Sequence, residues 1–320
     1  MASIYRTVMV KKTTALWDLN ESCNLHCQYC YHIMNGEDWS GKQQSLEIIQ
    51  STMSSLRSAG VDILHFVGGE PFLRRDLRHI AGDAKQFGFE TRVTTNGTVL
   101  PAYRDAAFMR LFDLIEVSLD SLDDAYMAEI RTVRRVETIK TAISELVAGG
   151  YGVQVLAVAN KLNFQFLPEL IEWCLQQGIK SLKIQPIFLP QDNRNFARLS
   201  LEEAELKALR RLAEEIYQPH PELSQYYQYN VECANGRSRR HLCNAFSRFL
   251  YLSADGQVMR CPSLAKPLAQ PDWMSDDPKW CNQMSHDCLC VYSLIENFEF
   301  VLKNERPNAA LRTEAFVAAN

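Results

Sequence analysis

Short apolar runs alternate with amphipathic segments through the first two-thirds of this 320-residue chain, and that alternation limits the fold more than any other feature. The runs TTALWDLN (13–20), DILHFVGG (62–69), ETRVTTNG (90–97), LIEVSLDS (114–121), GVQVLAVAN (152–160) and SLKIQPIFL (181–189) read as six strands. Between them, SLEIIQSTMSSLRSAG places Leu46, Ile49, Met53 and Leu56 on one helical face, and Gly60 ends the helix. VETIKTAISELVAGG does the same with Val136, Ile139, Ile143, Leu146 and Val147. DLRHIAGDAKQFG and LPELIEWCLQQG read as two further helices. A βα unit repeated about six times implies a parallel sheet with helical crossovers, short of the eight units of a closed barrel. Chemistry in such folds gathers at the carboxyl ends of the strands, so the residues just after each strand are the ones to inspect.

The pattern changes after the sixth strand. SLEEAELKALRRLAEEIY is a helix with Ser200 and Glu203 in capping-box register. A polar connector, QPHPELSQYYQYN, follows; RFLYLSADGQVMRCP then reads as a hairpin turning at Asp255-Gly256. A boundary near residue 220 divides a core, 1–220, from a cysteine-rich region, 221–320.

Charge narrows the function. A net charge of −4 gives no basic excess for nucleic acid or an anionic membrane. The one dense basic cluster, Arg237 to Arg240, reads as a solvated turn or as an anion site. There is no signal-peptide h-region and no apolar run of about 18 residues, so neither secretion nor a membrane span is expected. Ten cysteines in a chain of this kind, expected to be cytoplasmic, point to metal rather than disulfides.

Three of those cysteines, Cys23, Cys27 and Cys30, fall in CNLHCQYC directly after the first strand. A structural zinc wants four ligands, and one reading is a zinc knuckle borrowing His26 or a distant cysteine. The other is a [4Fe–4S] cluster, normally held by four cysteines, with one iron left open for a reaction partner. After the second strand comes GGEP: Gly68 and Gly69 let backbone come close to a ligand, and Glu70 offers a carboxylate before Pro71. Taken alone, GGEP reads as an ordinary strand-to-helix turn. TTNG and SLDS after the next two strands carry Thr95, Asn96, Ser118 and Asp120, residues that also serve as routine loop caps.

The C-x3-C-x2-C spacing, with aromatic Tyr29 before its last cysteine, resembles the signature of the radical S-adenosylmethionine (SAM) superfamily. The resemblance covers roughly the first 200 residues, with the motifs in family order. It implies a partial (β/α)6 TIM barrel holding a [4Fe–4S] cluster and SAM. It implies that GGEP binds the amino group of SAM, and that Thr95, Asn96, Ser118 and Asp120 meet its ribose and carboxylate. Arg131 would meet that carboxylate too, with Arg134 and Arg135 as competitors. Gln185 reads as an adenine or substrate contact, or as a capped strand end. The chemistry implied is reductive cleavage of SAM by an external electron, from a donor of flavodoxin or ferredoxin type. The 5′-deoxyadenosyl radical then takes a hydrogen atom from substrate.

Cys243, Gly256 and Cys261 fit C-x12-G-x4-C and resemble the opening of a SPASM or twitch extension. Cys281, Cys288 and Cys290 follow as C-x6-C-x-C, too few ligands for two auxiliary clusters, so one is expected. A structural zinc in the same residues is the alternative. Cys174, on an apolar helical face, reads as a buried, inert thiol. Cys233 reads as a core residue, a ligand or a hydrogen-atom donor.

Three functions compete. The first is a maturase of a ribosomally made peptide; because only a dozen residues precede the first strand, it would need a separate leader-peptide carrier protein. The second is a dehydrogenase or epimerase of an aminocyclitol or sugar. The third, a non-catalytic iron–sulfur redox protein, leaves GGEP and the polar strand ends without a purpose.

Overall fold

The structure, a computed structural model, describes residues 12–34, 41–100, 105–187, 189, 193–217 and 249–259. Six parallel strands follow in chain order: β1 (Thr14–Asp18), β2 (Ile63–Val67), β3 (Glu90–Thr95), β4 (Leu114–Ser118), β5 (Val153–Ala159) and β6 (Leu182–Pro186). Each pairs in parallel with its neighbour in sequence. The connecting helices include α2 (Leu46–Ser58), α3 (Leu77–Gln86), α6 (Val136–Ala148) and α7 (Leu167–Gln176), the four expected from the apolar stripes. Ile49, Met53 and Leu56 of α2 are buried, as are Val136, Ile139, Ile143 and Leu146 of α6. Before α2 stands the four-residue α1 (Tyr31–Met34), which directly follows the cysteine triplet.

Four helices, α1 among them, were not anticipated. α4 (Ala106–Met109) and α5 (Asp124–Arg131) start on Asp105 and Asp123, whose carboxylates accept backbone N–H groups of the first turn. α8 (Phe196–Leu199) ends on Ser200, so the expected capping box moves. It is Glu205 that accepts from the Glu202 N–H at 2.7 Å, at the start of α9 (Glu203–Tyr217).

The hairpin near residue 255 forms from β7 (Phe249–Leu252) and β8 (Val258–Met259). β7 lies parallel to β1, pairing Thr14 with Phe249 and Trp17 with Leu252. The sheet order is β6-β5-β4-β3-β2-β1-β7-β8: seven parallel strands and one antiparallel edge, an open partial barrel.

The two faces of the sheet differ. Trp17, Phe66, Val93, Ile115, Val155 and Ile184 pack outward with the helices in one large core. Leu16, Val67 and Tyr251 form a separate apolar cluster on the inner face, where β3, β4 and β6 present Thr94, Glu116 and Lys183. No helix among the described residues is long and apolar enough to cross a membrane.

Candidate active site

A cavity of 270 Å³ opens among the carboxyl ends of the strands and runs into the barrel lumen. Cys23, Cys27 and Cys30 line it together with Tyr29, Gly68, Gly69, Thr95, Asn96, Ser118, Asp120, Arg131 and Gln185. Every cofactor residue expected from sequence therefore borders one space, except Glu70 and Pro71.

The cysteine loop is fixed from several sides. The Gly69 and Glu70 N–H groups donate to Asn20 and Ser22 carbonyls at 2.8 Å each. A Cβ on Gly68 would sit 2.4 Å from the Asn20 carbonyl oxygen, and one on Gly69 would sit 2.1 Å from that of Ser22. Gly68 also has φ of +132°, where side chains are disfavoured. The paired glycines are thus required by the close approach of the cysteine loop itself. On its other side the loop docks on α5: the Gln28 N–H donates to the Ile130 carbonyl, and the His26 N–H to Thr132 Oγ1. Arg198 of α8 holds the Gln28 side chain at 2.9 Å.

Glu70 is fully buried and is not among the residues that line the cavity. Its Oε1 accepts from Thr95 Oγ1 at 2.8 Å and from the Phe72 N–H at 3.1 Å, while Oε2 accepts from the Asn96 N–H at 2.7 Å. Burial pushes its acid up to about 7 against those bonds. The carboxylate ties the end of β2 to the end of β3. Asn96, so held, reaches Asn24 at 2.8 Å and the Cys23 sulfur at 3.9 Å. Burial likewise pushes the Cys23 thiol up to about 11.

Asp120 is the second hub. Tyr29 donates its hydroxyl to Asp120 Oδ2, the Val158 N–H donates to Oδ1 at 3.0 Å, and Arg131 Nη1 stands 3.6 Å from Oδ1. Arg131 is buried, yet its Nε and Nη1 have no hydrogen-bond partner. The guanidinium, ion-paired with Asp120, borders the cavity, which Arg134 and Arg135 do not line.

The donor set fits an iron–sulfur cluster better than zinc. Three thiols of one short loop face one cavity. A cube of four irons takes its thiolates at separate corners. Cys174 is fully buried in the core, with its thiol pushed up by burial alone, so it is inert. Cys233, Cys243, Cys261, Cys281, Cys288, Cys290 and the Arg237–Arg240 cluster lie outside the described residues.

Sequence reading missed the lumen residues. His65, Thr94, Glu116 and Lys183 are strand residues whose side chains turn inward, and Thr94, Glu116 and Lys183 border the cavity. His65, Glu116 and Lys183 are each a polar break in a strand with apolar neighbours, a signal present in ILHFV, LIEVS and LKIQP.

A parallel partial barrel with a three-thiol site and a cofactor-sized cavity at its strand ends defines a class of iron–sulfur enzymes. Residues 19–174 match the radical SAM superfamily, so the chain carries a radical SAM domain there. The family uses a [4Fe–4S] cluster and SAM. A probable GTP 3′,8-cyclase of Sulfurisphaera tokodaii is 29% identical over 256 residues, 76% of this chain and 79% of the relative. The GTP 3′,8-cyclase of Mycobacterium marinum is 34% identical over 168 residues, 50% of this chain and 46% of that protein. The chain thus spans about half the length of several of its curated relatives. Among solved structures, Streptococcus suis SuiB bound to S-adenosylmethionine aligns with a TM-score of 0.66 at 15% identity, over 83% of this chain and 64% of that one. SuiB is also solved bound to its precursor peptide SuiA, with a TM-score of 0.64 over 83% of this chain and 63% of that one.

Proposed function

We propose that this enzyme takes a hydrogen atom from a peptide side chain seated in the barrel lumen, as a maturase of a ribosomally made peptide. The observation that carries the reading is one continuous cavity joining the three thiols and the buried Arg131 guanidinium to the polar lumen. When bound, a [4Fe–4S] cluster and SAM supply hydrogen-atom abstraction from carbon. Cys23, Cys27 and Cys30 would hold the cluster. Arg131 would receive the carboxylate of SAM, and Gly68 and Gly69 would offer backbone to its amino group, braced by Glu70. Asn96, Ser118 and Asp120 would flank the ribose. Tyr29 closes one side, and Gln185 faces adenine or substrate. A flavodoxin or ferredoxin-type protein would deliver the electron, and a separate carrier would present the leader.

SuiB, solved with a peptide, shares the fold over most of the chain. A small-molecule substrate is the second reading, favoured by the cyclases that match in sequence. In that reading the enzyme acts on a sugar, aminocyclitol or nucleotide.

The test is anaerobic incubation of the reduced, reconstituted protein with SAM and, separately, peptides from neighbouring open reading frames, an aminocyclitol and GTP. Formation of 5′-deoxyadenosine with a mass change in a peptide is the expected result. Conversion of the aminocyclitol or GTP instead would transfer the reading to small molecules. No 5′-deoxyadenosine under any condition would defeat both.

A further inference from the structure

Asn96 borders the cavity, yet its side-chain amide is fully engaged within the protein. An asparagine amide offers two acceptor lone pairs on oxygen and two N–H donors. Asn96 Oδ1 accepts from the Thr98 N–H at 2.9 Å and from Thr98 Oγ1 at 2.6 Å. A backbone N–H can only donate, so this contact fixes which end of the amide is oxygen. Nδ2 then faces the other way, where it donates to Asn24 Oδ1 at 2.8 Å and reaches the Cys23 sulfur at 3.9 Å. Asn24 in turn donates through its Nδ2 to Thr98 Oγ1 at 2.8 Å, which closes a ring of three side chains. The Asn96 N–H is held by the buried Glu70 at 2.7 Å. No hydrogen-bonding position of the Asn96 amide is left for a molecule in the cavity.

The Cys23 sulfur thus faces two N–H groups, that of Asn96 and the backbone N–H of Leu25 at 3.4 Å. Sulfur is larger than oxygen, so its contacts are longer. A thiol accepts weakly, whereas an ionised acceptor makes bonds roughly twice as strong. Such bonds weigh most when a cluster gains an electron, because negative charge then grows on its ligand sulfurs. Hydrogen bonds to the sulfurs are among the factors that set the reduction potential of an iron–sulfur cluster. The Leu25 donor belongs to the backbone and is present with any side chain there. Asn96 is a donor that depends on the residue.

We propose that Asn96 is a positioning residue for the cluster. Its N–H, aimed at Cys23 by Thr98 and Asn24, raises the reduction potential and eases entry of the one electron that the external carrier supplies. This rests on Cys23, Cys27 and Cys30 holding the SAM-binding cluster, as set out above, and is independent of which substrate is used.

The measurement is the midpoint potential of the reconstituted protein, read by electron paramagnetic resonance at poised potentials. The cluster concerned is the one whose signal changes when SAM is added. Asn96→Ala is expected to move its midpoint to more negative potential. At the midpoint of the parent, the ratio of reduced to oxidised cluster should fall about threefold or more. Thr98→Val removes both hydroxyl contacts but keeps the backbone N–H that orients Asn96, and should leave the midpoint at the parent value. An unchanged midpoint in Asn96→Ala overturns the proposal. An equal shift in Thr98→Val does so too, since the ring would then act only by shaping the loop. The parent supplies a reading that needs no variant to hold its cluster. With isotope-labelled asparagine side-chain amides, hyperfine spectroscopy of the reduced cluster should show coupling to the label, and its absence overturns the proposal. A parent with no signal that responds to SAM would sink the radical SAM reading of the site together with this role. A responsive cluster with an unmoved midpoint sinks the role of Asn96 alone.

Discussion

At the scale of single residues, one carboxylate, Glu70, organises this site without lining the cavity. Glu70 accepts three hydrogen bonds, from Thr95, Asn96 and Phe72, and points into the protein. A glutamine there keeps the shape but swaps one acceptor for a donor, which must then face a donor from Asn96, Thr95 or Phe72. Leaving such buried donors unmatched costs about 1–3 kcal/mol. Glu70→Gln is therefore expected to lower unfolding stability by that order, read from the urea midpoint at constant slope. Because Asn96 reaches Asn24 and Cys23, the variant should also retain less iron after reconstitution. Unchanged stability and iron would mean that the segment is only a turn. The GGEP motif was legible from its letters, but the target of its carboxylate was not. Only the folded chain brings residues 70 and 96 together.

At the scale of elements, the strands and the principal helices could be read because apolar periodicity is local. The period in strands also carried a message that is easily passed over. In a parallel sheet covered on both faces, strands run almost wholly apolar, so His65, Glu116 and Lys183 each mark an inner face turned toward a lumen. The partner of β7 was beyond reach for another reason: a pairing between Thr14 and Phe249 leaves no trace in either segment alone.

That pairing is secured by Asp18 at the end of β1, which accepts from Tyr31 of α1 at 2.7 Å and from Tyr251 of β7. One buried carboxylate thus joins the strand that leads into the cysteine loop, the helix that leaves it and the late strand. Tyr251→Phe and Tyr31→Phe are each expected to cost about 1–3 kcal/mol. Because both act on the same carboxylate, the double variant should fall short of the sum by more than about 0.5 kcal/mol. Chemical denaturation of the four proteins in the cycle decides this. Strict additivity would mean that the two hydroxyls do not share a function.

At the scale of the whole molecule, the chain carries two sets of cysteines at opposite ends of its sequence. Cys23, Cys27 and Cys30 follow β1, while Cys243 and Cys261 flank the hairpin whose first strand lies beside β1. We propose that the first set holds the cluster on which SAM binds. Cys243, Cys261 and two of Cys281, Cys288 and Cys290 would hold a second. Each set is sized for one [4Fe–4S] cluster: three cysteines with an open iron in the first, four in the other. Replacing Cys23, Cys27 and Cys30 by alanine together should then abolish SAM cleavage while the protein keeps about half its iron and sulfide. Anaerobic reconstitution followed by iron and sulfide analysis, with protein measured by amino-acid analysis, gives the ratio. A variant that loses all its iron would remove the second cluster from the proposal, and one that binds zinc in its place would favour a structural site in the late cysteines. Retention of half the iron would show that the late cysteines bind their cluster without help from the first, as expected of a module whose folding is coupled to its own metal.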